Sequence, residues 1–522
     1  MRRLNVGRLD GWKVGTFLFS ILPTFQLSAQ CPDGSPPPCN RASANPAPVD
    51  RTPSLTVLYL ENTSSDTTDV ALADGLTEEL IARLSQVSGL RVTGRYGALR
   101  YRGHRNLDPR LVGREMGVRY VLQGTLRHSA ERVRVAVEIM DVTTGYNTWG
   151  QTYEQAAQDV FAVQDSVAVQ VVEAVRGRLT RQELARLTPR VPTVNSEAYD
   201  AYLRGTAVLR ARTAAAGASA IEQFRRAVAL DPTFAAGYAR LAEAYTLAAI
   251  WGWDVPDAPY DSLPSLAQRA AGRALALDST SAESWLGAAM AMRLSDPRRS
   301  VVLHRRAVAL DPSNTEALHQ LAAGLRAIGD QDSAMATEDR VLERDPYYGY
   351  VYAFQAQIAN YAGRPLEAVA RANRGLAIDS SQADTYRQLA DADLQLGRTG
   401  EARLAARRAL SLGARPTATQ VTLALADVIE GDTSSARTAV DSLGRESRGR
   451  LGRSPGGLPF FEAGYLSAAY AQLGIPDSAV AWAQRIVPWD RRFHWVELER
   501  SWLWKPVRSD PRFQALLAES KP

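Results

Sequence analysis

The chain has 522 residues, of which 61 are Lys or Arg and 56 Asp or Glu, for a formal charge of +5. The length allows several buried cores, and the near-balance of charge argues against nucleic acid as a partner, describing instead a mixed, water-facing surface. Two cysteines, Cys31 and Cys39, are too few for a four-ligand metal cluster.

The N-terminus has the layout of an export signal. Arg2, Arg3, Arg8 and Lys13 precede an apolar run from Val14 to Phe25, with small and polar residues through Ser28 and Ala29. The run is short for a bilayer span. Cleavage near Ala29 or Gln30 is expected to leave a soluble mature protein; an uncleaved segment would be a membrane anchor. Ser28, Ala29 and Gln30 before Cys31 do not make a good lipoprotein box. In the segment CPDGSPPPC the two thiols either bridge each other or stay free. Residues 1–30 are thus read as a signal peptide and 31–52 as a Pro-rich linker, an extended tether.

Residues 53–190 alternate strand-like and helix-like runs. A strand is expected at Leu55–Leu60, then a helix at Ala71–Ser88 with Leu72, Leu76, Leu80 and Leu84 at helical spacing. A second strand follows at Leu90–Thr93, a short helix at Leu107–Gly117, and a strand at Val118–Arg127. Val133, Val135, Val137 and Ile139 alternate through Arg132–Asp141 as in a half-buried strand. A turn at Thr143–Tyr146 leads to Asn147–Tyr153, and Val160–Leu179 is helical. The pattern predicts a compact α/β domain with a mixed sheet and helices on one face.

The runs ALADGLTEELIARLSQVSGLRV, GVRYVLQGTLR and VRVAVEIMDVTTGYNTWGQTYE resemble, in that order, the domain found in the TolB amino-terminal and FlgO families of bacterial envelope proteins. The resemblance covers about residues 53–180. It implies an envelope setting and an arrangement in which such a domain follows an output module (a kinase, winged helix or adenylate cyclase) and precedes helical repeats. The first 50 residues offer no room for that module, so the enzymatic or DNA-binding output is not expected here.

From Asn195 the sequence becomes alanine-rich and periodic. The segments RAVALDP, RALALDS, RAVALDP, LERDP, GLAIDS and ALSLG place Asp231, Asp278, Asp311, Asp345, Asp379 and Gly413 at equivalent positions, spaced 47, 33, 34, 34 and 34 residues apart. A period of about 34 residues is that of tetratricopeptide helix pairs, and the sequence is similar to that family. In one unit Leu318, Leu321 and Leu325 line the first helix, Gly329 permits the turn, Ala334 lets the second helix approach, and Pro346 starts the next unit. Seven or eight pairs fit. Asp393 and Glu338 stand where large apolar residues are usual. The long first gap holds WGWDVPDAPYDSL, from Trp251 to Leu263, expected to pack its tryptophans on adjacent helices. Trp495, Trp502 and Trp504 in 489–522 are expected to cap the last apolar face.

The predicted fold class is therefore α+β: a small mixed-sheet α/β domain followed by an all-α tetratricopeptide superhelical solenoid over 195–488, with an aromatic C-terminal cap at 489–522. No catalytic, cofactor-binding or metal site is predicted, and no cofactor. His104, His128, His304, His319 and His494 show no ligand spacing, and lone histidines of this kind are expected at the surface. Walker loops, GxSxG and kinase signatures are missing. The arginines at 91, 95, 100, 102, 105, 110, 114 and 119 read as a solvated rim.

The predicted function is that of an exported, non-enzymatic scaffold, periplasmic or secreted, binding a protein or peptide in the concave groove, in envelope assembly or signalling. The groove should be lined by first-helix polar residues such as Arg240, Gln320, Gln357 and Arg387. A carboxylate clamp is not expected, because lysine occurs only at Lys13, Lys505 and Lys521. The alternative is a sensory module that binds a small molecule within the α/β domain and relays through a partner on the repeats. Nucleic acid is not an expected partner, and membrane contact is expected only through an uncleaved N-terminus.

Overall fold

A computed structural model describes residues 52–521, apart from 65, 67–68, 105–106, 130–131, 157–159, 188–192, 194, 212 and 452–457. The predicted signal peptide, the predicted linker up to residue 51, both cysteines and Arg105 lie outside the described residues.

Six strands form one mixed sheet: β1 (Ser54–Val57), β2 (Glu61–Asn62), β3 (Arg91–Val92), β4 (Tyr120–His128), β5 (Arg132–Asp141) and β6 (Asn147–Ala156). Their order is β3-β1-β4-β5-β6, with β2 also paired to β4. The β3, β1, β2 and β4 pairings are parallel, and β4, β5 and β6 run antiparallel. Period-two alternation turns Leu55, Val57, Leu122, Val135, Val137 and Ile139 toward the helices Asp69–Ser85 and Val160–Val175, whose Leu72, Leu76, Leu80, Val163, Val167 and Val171 join them in one core. The opposite face is not bare, contrary to the expectation of helices on one face. There Val121 packs with Val112 of the helix Pro109–Met116. Gly113 makes this approach possible, since a Cβ in its place would lie 2.1 Å from a Val142 methyl. The stretch after β3 also folds as a short helix, Arg95–Leu99, that the sequence pattern did not suggest.

Beyond the sheet come eight helix pairs among the described residues: Ser196–Leu209 with Ala214–Leu230, Ala235–Trp251 with Leu263–Leu277, Ala282–Arg293 with Pro297–Leu310, Thr315–Ala327 with Gln331–Arg344, Gly349–Tyr361 with Pro365–Ile378, Ala383–Gln395 with Thr399–Ser411, Pro416–Glu430 with Thr433–Leu451, and Phe460–Gln472 with Pro476–Gln484. Leu318, Leu321, Leu325 and Ala334 are buried as the repeat pattern requires.

The recurrent aspartates have a local job. Each ends a second helix and accepts the backbone N–H two residues on, as Asp231 does from Thr233 at 2.8 Å, Asp278 from Thr280 at 2.8 Å and Asp379 from Ser381 at 2.9 Å. Such turns divert the chain out of the helix at the same point of every unit. Within the pairs, the turn residues Gly329, Gly363 and Gly397 sit at φ of 89°, 69° and 71°, the left-handed region that a side chain disfavours.

The α/β unit and the solenoid share a core. The helix Asp69–Ser85 packs directly on Ser196–Leu209, and a Cβ on Gly75 would lie 2.9 Å from the Leu203 Cβ. Trp253 of the insertion is buried against Gly217 of the first pair, as expected of a packing loop. Trp504 and Trp495 are buried at the C-terminal end, with the Trp504 indole donating to Ser467 Oγ at 3.1 Å.

The Trp253 seat is a sensitive point, because a Cβ on Gly217 would fall 2.1 Å from the ring. Gly217→Ala should destabilise the chain by about 1–3 kcal/mol and move Trp253 toward water. Denaturant unfolding followed by tryptophan fluorescence checks this; an unchanged midpoint and emission maximum would show that the loop repacks freely.

Candidate binding surface

The solenoid curls so that its first helices converge. Side chains from the first helices of pairs two to six, with Arg415 at the start of pair seven and Phe461 of pair eight, meet around one small interior cavity. Of the four predicted groove residues, Gln320 and Gln357 line this cavity, Arg240 lines a second cavity at the junction with the α/β unit, and Arg387 is buried; each is already engaged. Arg240 donates to Glu283 at 2.8 Å and Glu243 at 2.9 Å. Gln320 donates to Glu316 at 2.7 Å and accepts from Arg293. Gln357 donates to the Tyr361 hydroxyl at 2.9 Å. Arg387, 1% exposed, donates to Asp384, Asp391 and Tyr465. Burial pushes Asp391 up to about 6 even with Arg387 alongside, and raises Glu283 as well.

Three histidines expected at the surface are buried instead: His304, His319 and His494. His319 Nδ1 lies 2.7 Å from Glu338 Oε1. That pair explains the acidic residue at an apolar position of the repeat, since a buried carboxylate needs a partner of this kind.

Two segments of the chain itself lie on this side of the solenoid. The first is Gly94–Gly97 of the α/β unit. The Tyr96 backbone N–H donates to Asp345 Oδ2 at 2.9 Å, and Arg95 donates to Glu316 Oε2 at 2.9 Å. The Tyr96 ring stacks on Tyr348 at 3.7 Å. Gly94 lies so close that a Cβ would be 2.4 Å or less from the Asp345 side chain. Burial raises Asp345 to about 6, opposed by the hydrogen bond from Tyr96. Arg100 stacks over Tyr347 at 4.8 Å and the Tyr347 hydroxyl donates to the Glu115 carbonyl. Arg95 therefore belongs to an interface and not to a solvated rim, whereas Arg100 remains exposed at the edge of it. Sequence offered one hint, the two glycines that bracket Arg95 and Tyr96.

The second segment is the C-terminal region. Besides covering the last pair, it folds back toward the middle of the solenoid. Arg492 donates to the Ser295 carbonyl at 2.6 Å, Arg500 to the Gly329 carbonyl at 3.2 Å, and Tyr361 to Glu497. Glu497 also faces Arg326 at 3.8 Å and His494 Nε2 at 3.7 Å.

Between the α/β unit and the solenoid is a cavity of about 610 Å³, with Glu78, Glu79, Arg95, Thr206, Arg240 and Glu316 among its walls. It lies at the junction, outside the core of the α/β unit where a sensory pocket was expected. Arg95 Nε and Thr206 Oγ1 are buried side-chain atoms with no hydrogen-bond partner among the described residues.

Helix pairs of this length, with capping aspartates and glycine turns at fixed positions, make a tetratricopeptide-like solenoid behind an α/β unit. No family model matches the sequence. Over 204 residues the chain is 39% identical to a protein of Rhizobium meliloti (strain 1021) provisionally named adenylate cyclase 3, a match covering 39% of this chain and 34% of that one. The chain thus spans about a third of that relative's length. Among solved structures, PilF of Pseudomonas aeruginosa overlays with 17% identity and a TM-score of 0.32, over 41% of this chain and 96% of PilF. PilW, described as a type IV pilus biogenesis factor, overlays with 19% identity and a TM-score of 0.33, over 41% of this chain and 92% of PilW. At such scores the overlays add nothing to the assignment, which rests on the helix pairs themselves.

Burial raises Glu497 from its ordinary 4.5 to about 8, with Arg326 pulling it part of the way back. The folded chain therefore holds a proton that the unfolded chain gives up near the ordinary value. Its stabilising effect is complete below that value and is lost as pH rises through about 8. The melting temperature should fall between about pH 4.5 and pH 8, and Glu497→Gln should flatten that fall. Parallel slopes for the two proteins would show that Glu497 ionises as it does in water.

Proposed function

We propose that the chain is an exported, non-enzymatic scaffold of the bacterial envelope that binds a protein or peptide on the inner side of its solenoid. The observation that carries this reading is the recognition of Gly94–Gly97 in cis. A backbone N–H, a guanidinium and an aromatic ring of one segment are each matched by Asp345, Glu316 and Tyr348 of the repeats. These are the elements by which repeat surfaces recognise extended or turned polypeptide, through several modest contacts on a rigid array. Export rests on the N-terminal charge and apolar pattern. The cyclase name of the R. meliloti relative is not carried over, because the match spans about a third of that protein.

The test uses the full chain. Gly94→Val should drive the cis segment off Asp345, and a labelled peptide of residues 91–101 should then bind the variant more tightly than the wild type, by about tenfold or more. Adding Asp345→Ala to Gly94→Val should remove that binding. A protein that is retained saturably from envelope extracts by Gly94→Val, and lost with Asp345→Ala, would be the partner. If the peptide binds neither form, and neither retains a protein, the scaffold reading fails. For export, the mass of the mature protein should correspond to a start near Gln30, whereas the full-length mass would mean an anchored chain.

The junction cavity favours one other reading, a small polar ligand held between the α/β unit and the repeats, where Arg95 Nε and Thr206 Oγ1 are unpaired. Such a ligand would bear on the same interface that Gly94–Gly97 makes.

A further inference from the structure

The innermost part of the superhelix carries an imbalance of charge. A cavity of about 60 Å³ sits where the first helices meet the C-terminal segment, and its walls hold the guanidiniums of Arg293, Arg326 and Arg415 with a single carboxylate, Asp384. Asp384 is taken by Arg387 at 3.1 Å and stands 3.9 Å from Arg415. Glu497, behind the wall, reaches only within 3.8 Å of Arg326 and is shared with Tyr361. His319, on the same wall, is paired with Glu338.

The three arginines have donors to spare. Arg293, 3% exposed, uses one terminal nitrogen on Gln320 and His304, and its Nε has no partner. Arg326, also 3% exposed, makes no hydrogen bond through its guanidinium among the described residues. Its Nε is buried and unpartnered, and its guanidinium lies beside the rings of Phe354, Tyr361 and Phe493. Arg415, half-buried with 21% of its side chain exposed, lies over the rings of Phe461 at 3.7 Å and Trp251 at 4.3 Å, with no hydrogen bond from its guanidinium among the described residues. Buried guanidiniums without acceptors are costly. Burial lowers all three below the usual arginine range, Arg293 to about 9 with Arg326 repelling it.

We propose that this cavity binds a compact tetrahedral oxyanion, phosphate or sulfate, held by Arg293, Arg326 and Arg415. Guanidinium forks match the oxygens of such ions, and a doubly negative ion offsets three cations better than one carboxylate would. The small volume suits a compact ion that reaches several walls at once. Arg293, Arg326 and Arg415 come from the third, fourth and seventh pairs, so the ion would tie distant turns of the solenoid to one another beside Phe461, Phe493 and His494.

The test takes the full chain dialysed into chloride buffer and titrates phosphate or sulfate at constant ionic strength, followed by calorimetry and melting temperature. Wild type should bind one ion per chain saturably and melt at a higher temperature as it does so. Arg415→Gln, which has no guanidinium hydrogen bond to lose, should bind at least about tenfold more weakly against its own chloride baseline. If that variant does not fold, Arg326→Lys, which keeps the charge and loses the fork, replaces it with the same expectation. A wild-type response no greater than that to added chloride overturns the proposal, as does equal binding by wild type and variant.

Discussion

Curling a helical array inward takes the polar residues of its first helices out of water, and each then needs a partner inside the protein. This desolvation governs the inner face. Arginines occupy it at Arg240, Arg293, Arg326, Arg387 and Arg415, and the structure meets their demand unevenly. Arg240 and Arg387 are matched with carboxylates, while Arg293 settles for amide oxygens. Buried charges that are well paired fix geometry more than they add stability. The inner face is therefore better seen as a device that specifies curvature than as the source of the fold's stability, which comes from the alanine and leucine contacts between helices.

The same demand explains why parts of the chain fold back on it. Tyr361 and Arg326 find Glu497, and Glu316 and Asp345 find Arg95 and the Tyr96 backbone. Self-recognition and partner recognition then draw on one set of side chains. Any movement of these inserted segments would therefore change which side chains of the repeats are free.

Much of the architecture was legible because its signals are local. The aspartates at 231, 278, 311, 345 and 379 mark where each second helix ends, and the valines of 133–139 mark a strand with one buried face; both survive in the structure with the expected spacing. The inner face was legible only as a surface. Gln320 and Gln357 line the interior cavity while Arg240 and Arg387 do not, because periodicity carries no information about what lies opposite. His304 and His319 were misplaced for the same reason: a lone histidine on a repeat helix is exposed or buried according to the next turn of the superhelix. The helix Arg95–Leu99 was missed because its first turn is stabilised from outside, by Asp345, and a five-residue segment has little helical tendency alone.

In an open solenoid each unit touches only its neighbours, so such arrays melt from their ends. The ties described here are of another order: Tyr96 reaches Asp345 across 249 positions, and Tyr361 reaches Glu497 across 136. During synthesis the α/β unit must wait for the middle of the array, and the middle must wait for the last part of the chain to emerge. The two clasps thus join positions far apart in the array, and the loss of either would leave that part of it coupled through neighbouring pairs alone.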